Sequence, residues 1–142
     1  MKQKVSLQDK RFSIRAATPE DAALVVSYMK KLGEFQQMAD KITATPDRIE
    51  KLLASHQGEA IFGLYDDDVV GFAYFHEKSS AFTGRFGLYI DAFFLDDTDR
   101  SKGLGKRMMR HLCKIAKDRG CELLEWGCLD WNTAAIEFYQ RL

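Results

Sequence analysis

The chain is poor in proline and cysteine, has no charge imbalance and no long apolar run, and each shortage closes off a class of explanation. Only two of its 142 residues are proline, Pro19 and Pro46, so neither a collagen-like repeat nor a proline-rich linker is present. The three cysteines, Cys113, Cys121 and Cys128, are odd in number and lack close metal-ligand spacing. That argues for free thiols, against a disulfide framework and against a zinc site. His56, His76 and His111 are scattered and form no local ligand set, so no metal is expected. Lys and Arg number 21 and Asp and Glu 21, a formal net charge of zero. A generic polyanion binder carries basic excess, so no nucleic-acid partner is expected and any anion site is local. No stretch approaches the roughly 20 apolar residues that span a bilayer, and Met1-Lys2-Gln3-Lys4 runs into charge rather than a signal sequence. The expectation is a soluble cytoplasmic protein without a membrane partner.

Hydrophobic residues make up 46% of the chain and charged residues 30%, enough for one packed core with a wet surface. A single domain over 1–142 follows. Alternation predicts a strand from Phe12 to Ala16. Thr18-Pro19-Glu20-Asp21 is a helix start with a capping hydroxyl, and Leu24, Val25, Tyr28, Met29 and Leu32 keep helical spacing until Gly33. Thr45-Pro46-Asp47 opens a second helix, ending near Gly58, and Glu34 to Ala44 between the two is a candidate substrate-facing loop. Ile61–Tyr65 and Val69–Phe75 flank Asp66-Asp67-Asp68, a hairpin turn that lacks the other ligands of a calcium loop. A further strand lies within Gly84 to Leu95. Gly103 to Lys117 is the strongest helix, with Leu104, Met108, Leu112 and Ile115 on one stripe and cations around it. Leu123 to Leu129 is a buried strand, and Asn132 caps a last helix, Thr133 to Leu142.

The sharpest local motif is Arg100-Ser101-Lys102-Gly103-Leu104-Gly105, between a strand and a cationic helix. Glycines admit a ligand close to the backbone, and successive N–H groups at a helix start form an anion nest. Strand, Arg-x-x-Gly-x-Gly, helix, strand and then Asn132 to Tyr139 resembles the core of the GCN5-related N-acetyltransferase family from Phe12 onward. Leu88 to Leu95 and Trp131 to Tyr139 are most similar to its spermidine/spermine (diamine) acetyltransferase branch.

The resemblance implies an α/β (α+β) acyl-CoA N-acyltransferase fold, a mixed, mostly antiparallel central sheet with helices on both faces. It implies acetyl-CoA as co-substrate and a small-molecule primary amine, diamine, polyamine or amino-acid-like, as acceptor in a ternary complex. Arg100, Ser101, Lys102, Gly103, Leu104, Gly105 and Lys106 would hold the pyrophosphate, and Phe93, Phe94 and Leu95 the pantetheine arm. Asn132 would contact that arm, Tyr139 would protonate the leaving thiolate, and Asp91 would take the proton of the amine, directly or through water. Lys31 and Gln36 stand where the polyamine branch carries acids, which leaves a smaller amine, an amino-acid side chain such as a lysine analogue, or another primary amine open as acceptor beside spermidine and spermine. Family members continue past the Phe-Tyr helix with two more strands, so a C-terminally short domain lacking them, and a homodimer, are expected. The competing reading is a non-catalytic acyl-CoA-binding sensor or regulatory subunit.

Overall fold

A computed structural model describes residues 11–97, 102–127 and 133–138. The elements are β1 (Phe12–Ala16), α1 (Ala22–Phe35), α2 (Pro46–Ala54), β2 (Glu59–Tyr65), β3 (Asp68–Ser79), β4 (Phe86–Leu95), α3 (Leu104–Asp118), β5 (Leu123–Gly127) and β6 (Thr133–Glu137). The strands form one sheet in the order β1-β2-β3-β4-β5-β6. Every neighbouring pair is antiparallel except β4 and β5, which run parallel and are joined through α3.

Helices cover both faces because alternate strand residues are apolar in both directions. Phe62, Phe72 and Tyr74 point to α1 and α2, where Tyr28 stacks on Phe72 at 5.4 Å between ring centroids. Ile61, Val70, Phe75, Leu88 and Leu124 point to the other face, against Leu104, Met108 and Leu112 of α3. Gly63 and Gly71 let α3 approach the sheet, since a Cβ at Gly63 would lie 2.8 Å from Leu104 and one at Gly71 would lie 2.9 Å from Met108. The acidic run closes the β2–β3 hairpin, with Asp66 and Asp67 at φ 49° and 70° as its two left-handed residues.

Three local expectations change. The first helix does not stop at Gly33. That glycine is buried against Ile42, where a Cβ would come within 2.7 Å, and the turn after the helix is made by Gln37 at φ 57°. The start at Thr18 opens a 3-10 turn, Pro19–Asp21, rather than the α-helix itself, and a capping box closes it, with Asp21 reaching back to accept from the Thr18 N–H at 2.8 Å. Finally, 133–137 forms a strand where a helix was expected, pairing with β5 from Gly127↔Thr133 to Leu123↔Glu137. Ala134, Ile136 and Phe138 are half-buried and alternate with exposed Ala135 and Glu137, a period of two that the helical reading overlooked. Pairing satisfies the backbone of β5, a stronger demand than the helical preference of two alanines.

Asp21 also takes a fork from Arg15 of β1, at 2.9 and 3.0 Å, which holds its carboxyl below the ordinary value of 3.8. A carboxylate depressed on folding stabilises above its unfolded pKa, and that stability is lost as pH falls through the folded value. Asp21→Asn should therefore cost about 1 kcal/mol at pH 7. In urea unfolding the gap between variant and wild type should narrow as pH drops below 3.8.

Candidate active site

The parallel ladder between β4 and β5 is short. It runs from Gly87↔Leu123 to Ile90↔Trp126, whereas β3 accompanies β4 all the way to Gly71↔Leu95. Among the described residues the ladder with β5 ends at Ile90, and the outer half of β4 is paired on one edge only. A cleft of about 320 Å³ opens there, bounded by β4 from Tyr89 to Phe93, Trp126 and Gly127 of β5, Leu32 and Gln36 from the end of α1, and Met109 of α3. Its size and mixed lining suit a small molecule.

A β-bulge shapes this edge. Tyr74 pairs with Ala92 and Phe75 with Ile90, which leaves Asp91 as the extra residue in β4. The bulge reverses the side-chain phase: Leu88 and Ile90 face α3, whereas Ala92 and Phe94 face the α1 layer. Asp91 is thereby turned out of the ladder into the cleft mouth. Burial raises its carboxyl above the ordinary 3.8, and His76 pulls the other way. His76 Nε2 lies 3.4 Å from Asp91 Oδ1, although the two are 15 residues apart in sequence. Sequence reasoning missed His76, because only the β3–β4 register brings it beside Asp91.

The first turn of α3 stands next to the same strand end, since a Cβ on Gly105 would lie 3.1 Å from Leu95. Gly103 precedes the helix at φ 79° with open space where a side chain would stand. No acid occupies this turn, so its N–H groups, which have no partner inside the helix, present unopposed positive ends.

Residues 26–142 match the acetyltransferase (GNAT) family. The chain belongs to that family. GNAT enzymes move the acetyl group of acetyl-CoA to an amine, and this chain is an acetyl-CoA-dependent N-acetyltransferase. A thialysine N-epsilon-acetyltransferase of Caenorhabditis elegans is 27% identical over 133 residues, 94% of this chain and 82% of that protein. A spermine/spermidine N(1)-acetyltransferase of Bacillus subtilis is 28% identical over 138 residues, 91% of this chain and 84% of that one. In structure, an aminoglycoside acetyltransferase from an uncultured soil metagenomic sample, in complex with sisomicin, superposes with a TM-score of 0.71 at 15% identity. The match covers 94% of this chain and 98% of that one, and it speaks for the fold.

Seen as a GNAT site, the cleft brings together some of the expected residues. Asp91 and Phe93 line it. Phe94 turns away to the α1 layer, its ring 6.1 Å from Tyr28 and 6.3 Å from Phe35, and Leu95 packs toward α3. Lys102, Gly103, Leu104, Gly105 and Lys106 make the turn into α3. Arg100, Ser101, Asn132 and Tyr139 lie outside the described residues, as do Cys128 and Trp131. Gln36 lines the cleft, whereas Lys31 sits 4.7 Å over the Tyr28 ring. Trp126 has two functions, closing one wall of the cleft and packing on the α3 core. Burial raises the Cys113 and Cys121 thiols, so neither is poised as a nucleophile.

Proposed function

We propose that the cleft between the parted ends of β4 and β5 is where this GNAT enzyme acetylates a compact, amino-acid-like primary amine, with Asp91 as the group that takes its proton. The observation that carries this reading is the bulged Asp91, a carboxylate among cleft-lining residues that are otherwise neutral where described. The residues present fit acetyl-CoA. A one-sided strand edge can hydrogen-bond an extended arm, and the turn from Gly103 to Lys106 offers N–H groups to a pyrophosphate. When bound, acetyl-CoA supplies an acetyl group already activated as a thioester.

An alkyl ammonium holds its proton to about pH 10.4, and only the neutral amine attacks. Asp91 receives that proton and, as a carboxylate, orients the incoming cation. A backbone N–H of β4 facing the cleft stabilises the negative charge that develops on the carbonyl oxygen during attack. Tyr139 returns a proton to the leaving sulfur, Asn132 steadies the arm, and Arg100 and Ser101 complete the phosphate turn. In this reading the working form is a cytoplasmic homodimer, checked by light scattering at twice 16.3 kDa.

Asp91 is the one acid lining the cleft among the described residues. A polyamine brings several ammonium groups, and those beyond the one facing Asp91 lose solvation without gaining a carboxylate partner among the described lining residues. With saturating acetyl-CoA, kcat/KM for thialysine or ornithine should exceed that for spermine at least about tenfold, a difference near 1.4 kcal/mol. A preference for spermine would overturn the amino-acid-like acceptor. Acetyl-CoA binding with no transfer to any of these amines would indicate a regulatory binder.

A further inference from the structure

We infer that His76 is a positioning residue that completes the base, drawing onto its ring the proton that Asp91 takes from the acceptor; this rests on the reading of the cleft given above. His76 stands opposite Tyr89 in the β3–β4 register, so both side chains leave the same face of the sheet. The bulge swings Asp91 toward that face and brings its Oδ1 to 3.4 Å from His76 Nε2. The other ring nitrogen, Nδ1, lies 3.1 Å from the carbonyl oxygen of Glu77. A carbonyl oxygen only accepts, so Nδ1 is the donor to Glu77 and Nε2 is the nitrogen that faces the carboxylate. Flanked by two acceptors, the ring and Asp91 together have one vacancy for a proton, between Nε2 and Oδ1.

The surroundings leave that vacancy to the pair. Tyr89 lies against the imidazole at 5.7 Å between centroids and is covered in turn by Lys78, 5.1 Å from its centroid. Lys78 is matched by Glu125 of β5 at 3.8 Å. The Glu77 carboxylate is on the other face, held by Arg119 at 3.0 Å. On β6, Glu137 is engaged by Arg85 at 3.3 Å. The buried Tyr74 phenol next to Asp91 is raised by burial and then by the Asp91 charge, so it stays neutral. From α1 and α3 the cleft receives only the neutral Leu32, Gln36 and Met109.

The proton inventory closes. An N–H bond of the acceptor ammonium breaks as an O–H bond forms on Asp91. That O–H then breaks as an N–H bond forms on His76 Nε2, leaving an imidazolium beside a carboxylate. The His76 side chain is 34% exposed and passes the proton to water. Passing the proton on returns Asp91 to the carboxylate form, ready to receive another from the next acceptor.

The test is the pH dependence of single-turnover acetyl transfer in His76→Gln, which keeps a polar side chain near Asp91 but cannot take a proton. The plateau rate should fall roughly tenfold to a hundredfold, with acetyl-CoA affinity unchanged. Free imidazole should restore part of the rate to His76→Ala. A His76→Gln enzyme with the wild-type rate and pH profile would overturn the inference. If Asp91→Asn is inactive while His76→Gln behaves as wild type, only the role of His76 fails. If both variants are fully active, the reading of the cleft fails with it.

Discussion

Replacing Asp91 by Asn should slow acetyl transfer by about 10²–10⁴-fold while leaving the Kd of acetyl-CoA within a few-fold of wild type. Asn keeps the shape of the side chain and its place at the bulge, so the cleft survives; what disappears is a group that can hold a proton. The loss should be smaller at high pH, where more of the acceptor arrives as the neutral amine, and the slope of that recovery measures how much proton removal contributes. The carboxyl is raised by burial, so the wild-type enzyme should lose rate toward acid pH at a higher point than an exposed aspartate would give. Rapid-quench kinetics with calorimetric titration of acetyl-CoA separate the two effects. Unchanged transfer in Asp91→Asn would remove the carboxylate from the chemistry.

The second large effect is structural and lies at the closed end of the same cleft. Gly87 begins the short parallel ladder, and a Cβ there would stand 2.4 Å from the backbone oxygen of Leu123 and 3.0 Å from its Cβ. Backbone cannot rotate away as a side chain can, so Gly87→Ala must push β5 off β4. A destabilisation of about 1–3 kcal/mol is expected, seen as a lower Tm and a lower urea midpoint. Acetyl-CoA affinity should fall with it, because the angle at which β4 and β5 part is set by where they are still joined. Gly71→Ala is the control. Its Cβ meets the side-chain ends of Leu95 and Met108, which can shift, so it should cost less and spare the cofactor. Equal behaviour of the two variants would mean that the strands do not meet as closely as described.

Much of this fold was legible because its signals were long or chemically specific. Fifteen residues of α3 repeat one apolar stripe, and Leu104, Met108 and Leu112 are fully buried along it. The Asp66–Asp67 turn declared itself by residues that tolerate left-handed backbone. The segment 133–138 offered six residues whose apolar positions fit two periods, and the open edge of β5 decided between them. Gly33 carried a stop signal that packing against Ile42 overrode.

The site divides in the same way. The Gly103–Gly105 turn is a motif local in sequence, and Asp91 is singled out by the family resemblance; neither needs a partner strand to be noticed. The bulge that aims Asp91 does, since an extra residue in a strand shows only against its partner. So does His76, whose meaning depends on a pairing between residues of different strands. The family resemblance puts Phe94 with its neighbours along the pantetheine arm; the phase reversal after the bulge directs its ring to α1.

Backbone hydrogen exchange with and without acetyl-CoA tests the central claim most directly. If the parted edge of β4 receives the cofactor, amides from Asp91 to Leu95 that point away from β3, and those of the first turn of α3, gain protection on binding, while β1 and β2 exchange as before. Protection confined to another surface, with the β4 edge unchanged at saturating acetyl-CoA, would contradict it.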